Sequence, residues 1–346
     1  MKLGRLIIDV NGVELSAEEA EILSHPYIGG VIIFSKNFES NEQLKNLINS
    51  IKKIRSPSLL IYIDQEGGSV QRIKSNILKI PSVSNIGKIY ENDNLLAKEL
   101  ARSIGWLIGH ELSFFNIDIN TCPVLDIDYK KSKVVSDRCY SANPAIVSQL
   151  AHEYILGAKE NNISSIGKHY PGHGYAIADS HYELPIDNRE YKTIFSNDLD
   201  PYIYCIEKGL NGVMLSHVQY KKIDNLPASL SKIWIYKLRN ELRYNGIIYS
   251  DDLSMKALDD FGSMEDRVEH TISAGCDCLF ICNNQDSVVK VLDNVIINDN
   301  QEIHTKLNNM RTKQISYDDF SNSTLRREII SRAQHLHENL QLEIKL

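Results

Sequence analysis

Short apolar runs alternate with longer amphipathic stretches along most of this chain. The runs at 6–9, 30–34, 59–64, 117–120, 165–169, 213–216, 247–250 and 278–282 have the length and composition of buried strands. Between them, apolar residues recur at helical spacing over 17–24, 41–54, 94–114, 144–160, 198–208, 232–241 and 266–274, and 286–295 follows the last run. Local signals agree: Ser16 stands three residues before Glu19, a capping-box spacing, and Gly209 follows Lys208 as a helix stop. Eight unbroken strand-helix alternations predict an α/β protein with a parallel sheet. Closure into a single-domain (β/α)8 TIM barrel is the economical arrangement for that number, and a doubly wound open sheet is the alternative. No Pro- or Ser-rich linker and no close internal repeat divides the chain, so residues 1–295 are expected to form one barrel. Beyond about Val295 the pattern turns polar; 296–346 is expected as a helical C-terminal extension packed on the barrel, ending in a charged helical tail over 323–346.

Composition narrows the partners more than the fold. Of 346 residues, 42% are hydrophobic and 24% charged, enough for a sizeable core. A net charge of −7 without any basic tract argues against a nucleic-acid partner held by phosphate neutralisation. No run approaches the length of a membrane span, and the first residues lack the apolar core of a secretory signal. The six cysteines, at 122, 139, 205, 276, 278 and 282, form no CxxC pair, which suits a reducing compartment. Cys276, Cys278 and Cys282 share parity and are expected on one strand face as small buried residues. The expectation is a cytoplasmic monomer acting on a small molecule, with no membrane and no nucleic-acid partner.

The chemistry concentrates in residues 166–181, IGKHYPGHGYAIADSH. Apolar residues lead into Lys168 and His169, and Pro171, Gly172 and Gly174 then forbid regular structure, so a strand ends at two polar side chains and opens into a loop. The loop closes on Asp179-Ser180-His181, where a carboxylate two residues before an imidazole can hold one ring nitrogen and leave the other free for proton transfer. Gly172 and Gly174 suggest that this loop moves inward over a bound ligand.

Other strands end on polar residues too, as barrel enzymes require. The third ends at Asp64 in IDQEGGSVQR, the sixth at His217, the seventh at Asp251-Asp252 and the eighth at Asn283-Asn284, while the fourth leads through TCPVLDID to Asp126 and Asp128. Taken singly, Asp126 reads as a cap or turn residue, His217 as a hydrogen-bonded histidine of the mouth, and Arg138 as a partner of Asp137 or another loop acid. Taken together, carboxylates, a lysine, an arginine and imidazoles around one mouth suit a ligand with adjacent hydroxyls. For a glycosidic bond, Asp251 can trap the oxocarbenium-like centre and His181 can protonate the leaving oxygen.

These segments resemble the single-domain β-N-acetylglucosaminidases of glycoside hydrolase family 3, bacterial cytosolic enzymes of peptidoglycan recycling. The similarity runs over about residues 4–284 through ELSAEE, GGVIIFSKNF, DQEGGSVQR, PVLDID, SDR, KHYPGHG, ADSH, SHVQY, YSDDLSM and AGCD. It implies a (β/α)8 barrel that removes terminal β-linked GlcNAc with retention and without metal or organic cofactor. It also implies Asp251 as nucleophile, His181 as acid/base oriented by Asp179, and Asp64, Arg72, Arg138, Lys168 and His169 as the sugar-binding set. Tyr170 and Cys139-Tyr140 depart from the family pattern and put fine specificity in question. Because an imidazole acid/base adds no second negative charge, phosphate could replace water as acceptor, and β-glucosidase activity is a variant on the same scaffold. Two readings of other classes are set beside it: a metal-dependent barrel hydrolase holding zinc by His169, His173, His181 and an aspartate, against which LIIDVNG offers one aspartate and no histidine where such barrels need paired first-strand ligands, and a sugar-binding protein without turnover.

Overall fold

Eight parallel strands close on themselves in the computed structural model, which describes residues 2–74, 79–132 and 134–331. In chain order they are Leu6–Ile8, Ile28–Ile33, Leu60–Ile63, Ile119–Asn120, Ser164–Tyr170, Gly212–Leu215, Ile247–Asp252 and Cys278–Ile281. Each pairs with its neighbours in sequence, and the first pairs with the eighth through Leu6 opposite Leu279 and Ile8 opposite Ile281. All eight expected runs are strands of this barrel. Helices Ala17–Ser24, Asn94–Phe114 and Pro144–Glu160 have their expected bounds, and Asn41–Lys53 and Gln285–Asn294 lie within one residue of theirs.

Alternation along the strands builds two cores. Tyr62, Tyr249 and Phe280 point inward with Leu60, Ile247 and Cys278 two residues away on the same faces. Their rings meet edge-on, Tyr62 to Phe280 at 5.6 Å and Tyr62 to Tyr249 at 6.0 Å between centroids, filling the barrel rather than leaving a channel. Ile61, Ile63, Ile248 and Leu279 point outward and pack among the helices. The cysteine expectation needs one correction. All three are buried, but only Cys278 and Cys282 belong to the inner cluster; Cys276 precedes its strand and packs in the outer one.

The polar region after Val295 hides a structural part. Helix Gln301–Asn308 carries Ile303 and Leu307, and these join Met310 in the barrel's inner cluster as a plug at the amino ends of the strands. Arg311 donates to Ser58 Oγ at 2.9 Å, and the buried Asp118 carboxylate accepts from Thr312 N at 3.1 Å and pairs with Lys52 at 2.9 Å. Farther on lie helix Tyr317–Asn322 and a helical segment over 324–331; the rest of the expected tail lies outside the described residues. With one end of the barrel plugged, the open hollow is at the carboxyl ends.

Candidate active site

A buried charge cluster forms one wall of that hollow. Asp64 follows the third strand, and a tight turn at Gly67 (φ 97°) and Gly68 (φ 55°), backbone that glycine tolerates best, sends the chain back antiparallel so that Arg72 returns to it. Arg72 Nη2 donates to Asp64 Oδ2 at 2.9 Å, and its backbone is held by Gln65 Oε1 at 2.8 Å. Lys168, near the end of the fifth strand, places Nζ 2.8 Å from Asp64 Oδ1 and 2.8 Å from Glu66 Oε1. Arg138, on the short turn Ser136–Arg138, forks onto Glu66 at 2.8 and 2.7 Å.

Burial opposes the charges of Asp64, Glu66, Arg138 and Lys168, and pairing overcomes it. Lys168 and Arg72 hold the Asp64 carboxyl well below the usual range, while Arg138 and Lys168 hold Glu66 at about 2. Arg138 and Lys168 are pushed above their ordinary values, chiefly by Glu66 and Asp64 respectively, against the same burial. The wall thus sets three cationic side chains against two carboxylates.

Glu66 was not among the expected site residues. It shares strand parity with Asp64 in IDQEGG, a signal that would have placed both carboxylates on one face. Arg138 finds its acid in Glu66, not in Asp137.

Asp126 also corrects the cap-or-turn reading. It is 1% exposed, and its carboxylate accepts from His169 Nδ1 at 2.7 Å and from the backbone N–H of His173 at 2.7 Å. It sets the orientation of His169 and leaves Nε2 toward the cavity. Burial opposes its charge, but His169 and these hydrogen bonds keep its pKa below the usual carboxylate value.

Asp251 and Asp252 end the seventh strand with different surroundings. Asp251 is lowered despite burial, by nearby His217 and His169 and by the Asp252 N–H at 2.9 Å. Asp252 accepts from Ser254 N, Ser254 Oγ and Cys282 N at 3.0, 2.7 and 2.9 Å, yet burial, with the Asp251 charge adding, raises it to about 6. The pair is thereby split, with negative charge concentrated on Asp251. His217 Nε2 sits 2.9 Å from the Asp252 carbonyl, which can only accept, so Nδ1 is the acceptor for Ser229 Oγ at 2.7 Å. Both nitrogens are committed, and His217 stands behind the cavity rather than in its lining.

The loop bearing His181 is tied at both feet. Gly174 lies so close to the Ile127 carbonyl that a Cβ would sit 1.8 Å from its oxygen; this glycine serves close approach rather than the freedom expected of it. At the other foot, Ile186–Asp187 pairs with Gln219–Tyr220, and Arg189 grips Asp187 and Asp198 at 2.7 and 2.8 Å. Between the feet, Ile177, His181 and Tyr182 are exposed while Ser180 is buried. Asp179 Oδ1 accepts from the His181 N–H at 2.9 Å and from Nδ1 at 2.8 Å, so Nδ1 carries a proton and Nε2 is the nitrogen left for transfer.

A cavity of about 250 Å³ joins these parts. Asp64, Arg72, Arg138, Lys168, His169, Asp251 and His181 all line it, with Glu66 and His173 added; Asp179 stands one contact behind, on His181. Among the described residues no three His, Cys, Asp or Glu side chains gather as a metal-binding group. The side chains of Tyr170, Cys139 and Tyr140 are buried outside the lining, away from where they would set specificity.

The chain is similar to known proteins in sequence and in fold. Residues 1–312 match the glycosyl hydrolase family 3 N-terminal domain. A beta-hexosaminidase of Methylobacillus flagellatus is 41% identical over 296 residues, 85% of each chain, and one of Glaesserella parasuis is 39% identical over 338 residues, 97% of this chain and 95% of that one. The crystal structure of NagZ from Neisseria gonorrhoeae in complex with N-trifluoroacetyl-D-glucosamine superimposes with a TM-score of 0.91 at 33% identity, covering 97% of this chain and 98% of that one. A barrel with its charged residues gathered at the carboxyl ends, matched in sequence and in fold across most of its length, belongs to glycosyl hydrolase family 3.

Proposed function

We propose that this protein is a retaining exo-β-N-acetylglucosaminidase that removes a terminal β-linked GlcNAc. The carrying observation is that an ionised Asp251 and the free Nε2 side of His181 border the same cavity as a buried cluster suited to vicinal hydroxyls. In the first step Asp251 attacks the anomeric carbon while protonated His181 gives its Nε2 proton to the departing oxygen, forming a glycosyl-enzyme ester. In the second, neutral His181 takes a proton from water, which attacks the same carbon and frees Asp251. Asp179 keeps the imidazole in the required tautomer; Asp64, Arg72, Arg138, Lys168 and His169 hold the ring. The relatives named beta-hexosaminidase, and the N-acylglucosamine bound by the Neisseria protein, support GlcNAc as the sugar.

The finer reading is a monomeric cytoplasmic enzyme of cell-wall recycling acting on GlcNAc-1,6-anhydroMurNAc muropeptides, with residues 1–295 as catalytic barrel and 296–346 as an extension of it. A cavity of this size suits one sugar and leaves the aglycone to the rim. Incubation with aryl β-GlcNAc and aryl β-glucose, with and without phosphate, tests the reaction. Release of GlcNAc is expected in buffer alone; GlcNAc-1-phosphate as the only product would replace hydrolysis by phosphorolysis, and no turnover of either glycoside would sink the proposal.

A further inference from the structure

His169, His173 and His181 all line the cavity, and two of them are already spoken for on one side. Asp126 holds Nδ1 of His169 and Asp179 holds Nδ1 of His181, each at close range. His173 is 2% exposed, and neither of its ring nitrogens has a hydrogen-bond partner among the described residues. A buried polar group left unpaired costs about 1–3 kcal/mol, so a ring kept in this state is best explained by an occupant that supplies the missing bond. The ring is also fixed in place: its backbone N–H is bound by Asp126, and it meets His169 edge-on at 6.1 Å.

We propose that His173 is a specificity-determining residue that hydrogen-bonds the substituent on C2 of the bound sugar, next to the carbon attacked by Asp251. The inference rests on the glycosidase reading above and adds a residue outside the sugar-binding set named there. The charged wall of Asp64, Glu66, Arg72, Arg138 and Lys168 is internally paired and suits hydroxyls. His173 takes no part in that pairing among the described residues and meets His169 edge-on. Burial and the neighbouring His169 lower its pKa, while Asp126 and Asp251 pull it up less strongly, so the ring is neutral and offers one donor and one acceptor. An acetamido group presents an N–H and a C=O to match either one, and its methyl suits the apolar Met214 and Met255 that line the same cavity. A histidine that merely braced the loop would affect every ligand alike.

Inhibition of aryl β-GlcNAc turnover by free GlcNAc and by free glucose separates the two roles, after thermal unfolding has shown that each variant is folded. His173→Phe should weaken GlcNAc inhibition about 10-fold and leave glucose within about 2-fold, the loss expected of one hydrogen bond. His173→Met, which also lacks a nitrogen, is read the same way if the phenylalanine variant does not fold, and His173→Gln should restore part of the preference. Equal weakening toward both sugars, or none toward GlcNAc, overturns the inference. Should the wild type turn over no aryl β-GlcNAc, the glycosidase reading fails first; calorimetric titration with the same two sugars then tests His173 by the same selective loss.

Discussion

Lys168 and His181 border one cavity, yet the lysine side chain is 4% exposed and pairs with two carboxylates, while the histidine is 60% exposed and touches one. The lysine sits in a web drawn from three separate loops and strands; the histidine rides an exposed stretch of a loop held at its feet and, beside the histidine, by the Ala257 N–H on the Ser180 carbonyl at 3.1 Å. On the proposed reading, the difference teaches that holding the sugar is built into the barrel, whereas proton transfer is carried by an exposed loop side chain with a single carboxylate partner. Asp251 belongs to the barrel side, on a strand end. Binding and chemistry should therefore separate in kinetics.

The sharpest break is expected from Asp251→Ala. Loss of a covalent nucleophile should lower kcat on aryl β-GlcNAc by at least about 10⁴-fold. The unfolding temperature should stay near that of wild type, because Asp251 receives only its neighbour's N–H among the hydrogen bonds of the described residues. Near-normal turnover would remove Asp251 from the chemistry and dissolve the contrast.

His181→Ala tests the loop. Its kcat should fall by about 10²–10⁴-fold for poor leaving groups and much less for activated ones, with KM little changed, since acid catalysis matters most when the departing oxygen is basic. Asp179→Asn should follow in the same direction through the wrong tautomer. A large rise in KM for either would mean that the loop holds the sugar as well.

Glu66→Gln tests the wall. It leaves Arg138 and Lys168 short of a buried negative charge, so KM should rise by about 10-fold and stability fall by about 3 kcal/mol, as for a broken buried ion pair. The pH dependence carries a definite sign. Glu66 has its pKa lowered from 4.5 to about 2 on folding, so its contribution is present above pH 4.5 and lost as pH falls through about 2. Asp64 is lowered too and adds to the same acid limb. Unfolding temperatures of wild type and Glu66→Gln, measured between pH 6 and 2, should converge toward the acid end; parallel curves would show that the Glu66 charge does not support the wall.

Sequence made the barrel legible because each strand is an apolar run and several helices carry local caps, such as the Ser16–Glu19 box seen in full. It was weaker where partners are distant. Nothing in spacing joins Arg138 to Glu66, 72 residues apart, or reveals that Asp126 orients both His169 and His173. The plug helix was hidden because Ile303, Leu307 and Met310 are few among polar neighbours and become a face only against the barrel interior. Gly174 looked like freedom because sequence cannot show the Ile127 carbonyl pressed against it.

The smallest effects should come from a pair of tyrosines that mark how deep the wall goes. Tyr170 is fully buried two residues after Lys168, its ring edge-on to Tyr202 and Trp234, and its hydroxyl has no partner among the described residues. Removing an unpaired buried hydroxyl relieves a desolvation cost, so Tyr170→Phe should raise stability by up to about 1 kcal/mol. It should leave kcat and KM within about 2-fold, since the packing of the ring is kept. Tyr220 is as deeply buried, but its hydroxyl donates to the Gly172 carbonyl at 2.5 Å, at the start of the loop. Tyr220→Phe should instead cost about 1–2 kcal/mol and loosen the foot from which His181 is carried, lowering kcat more than it alters KM. If Tyr170→Phe changed KM while Tyr220→Phe left kcat untouched, the boundary between a prebuilt wall and a tethered loop would have been drawn in the wrong place.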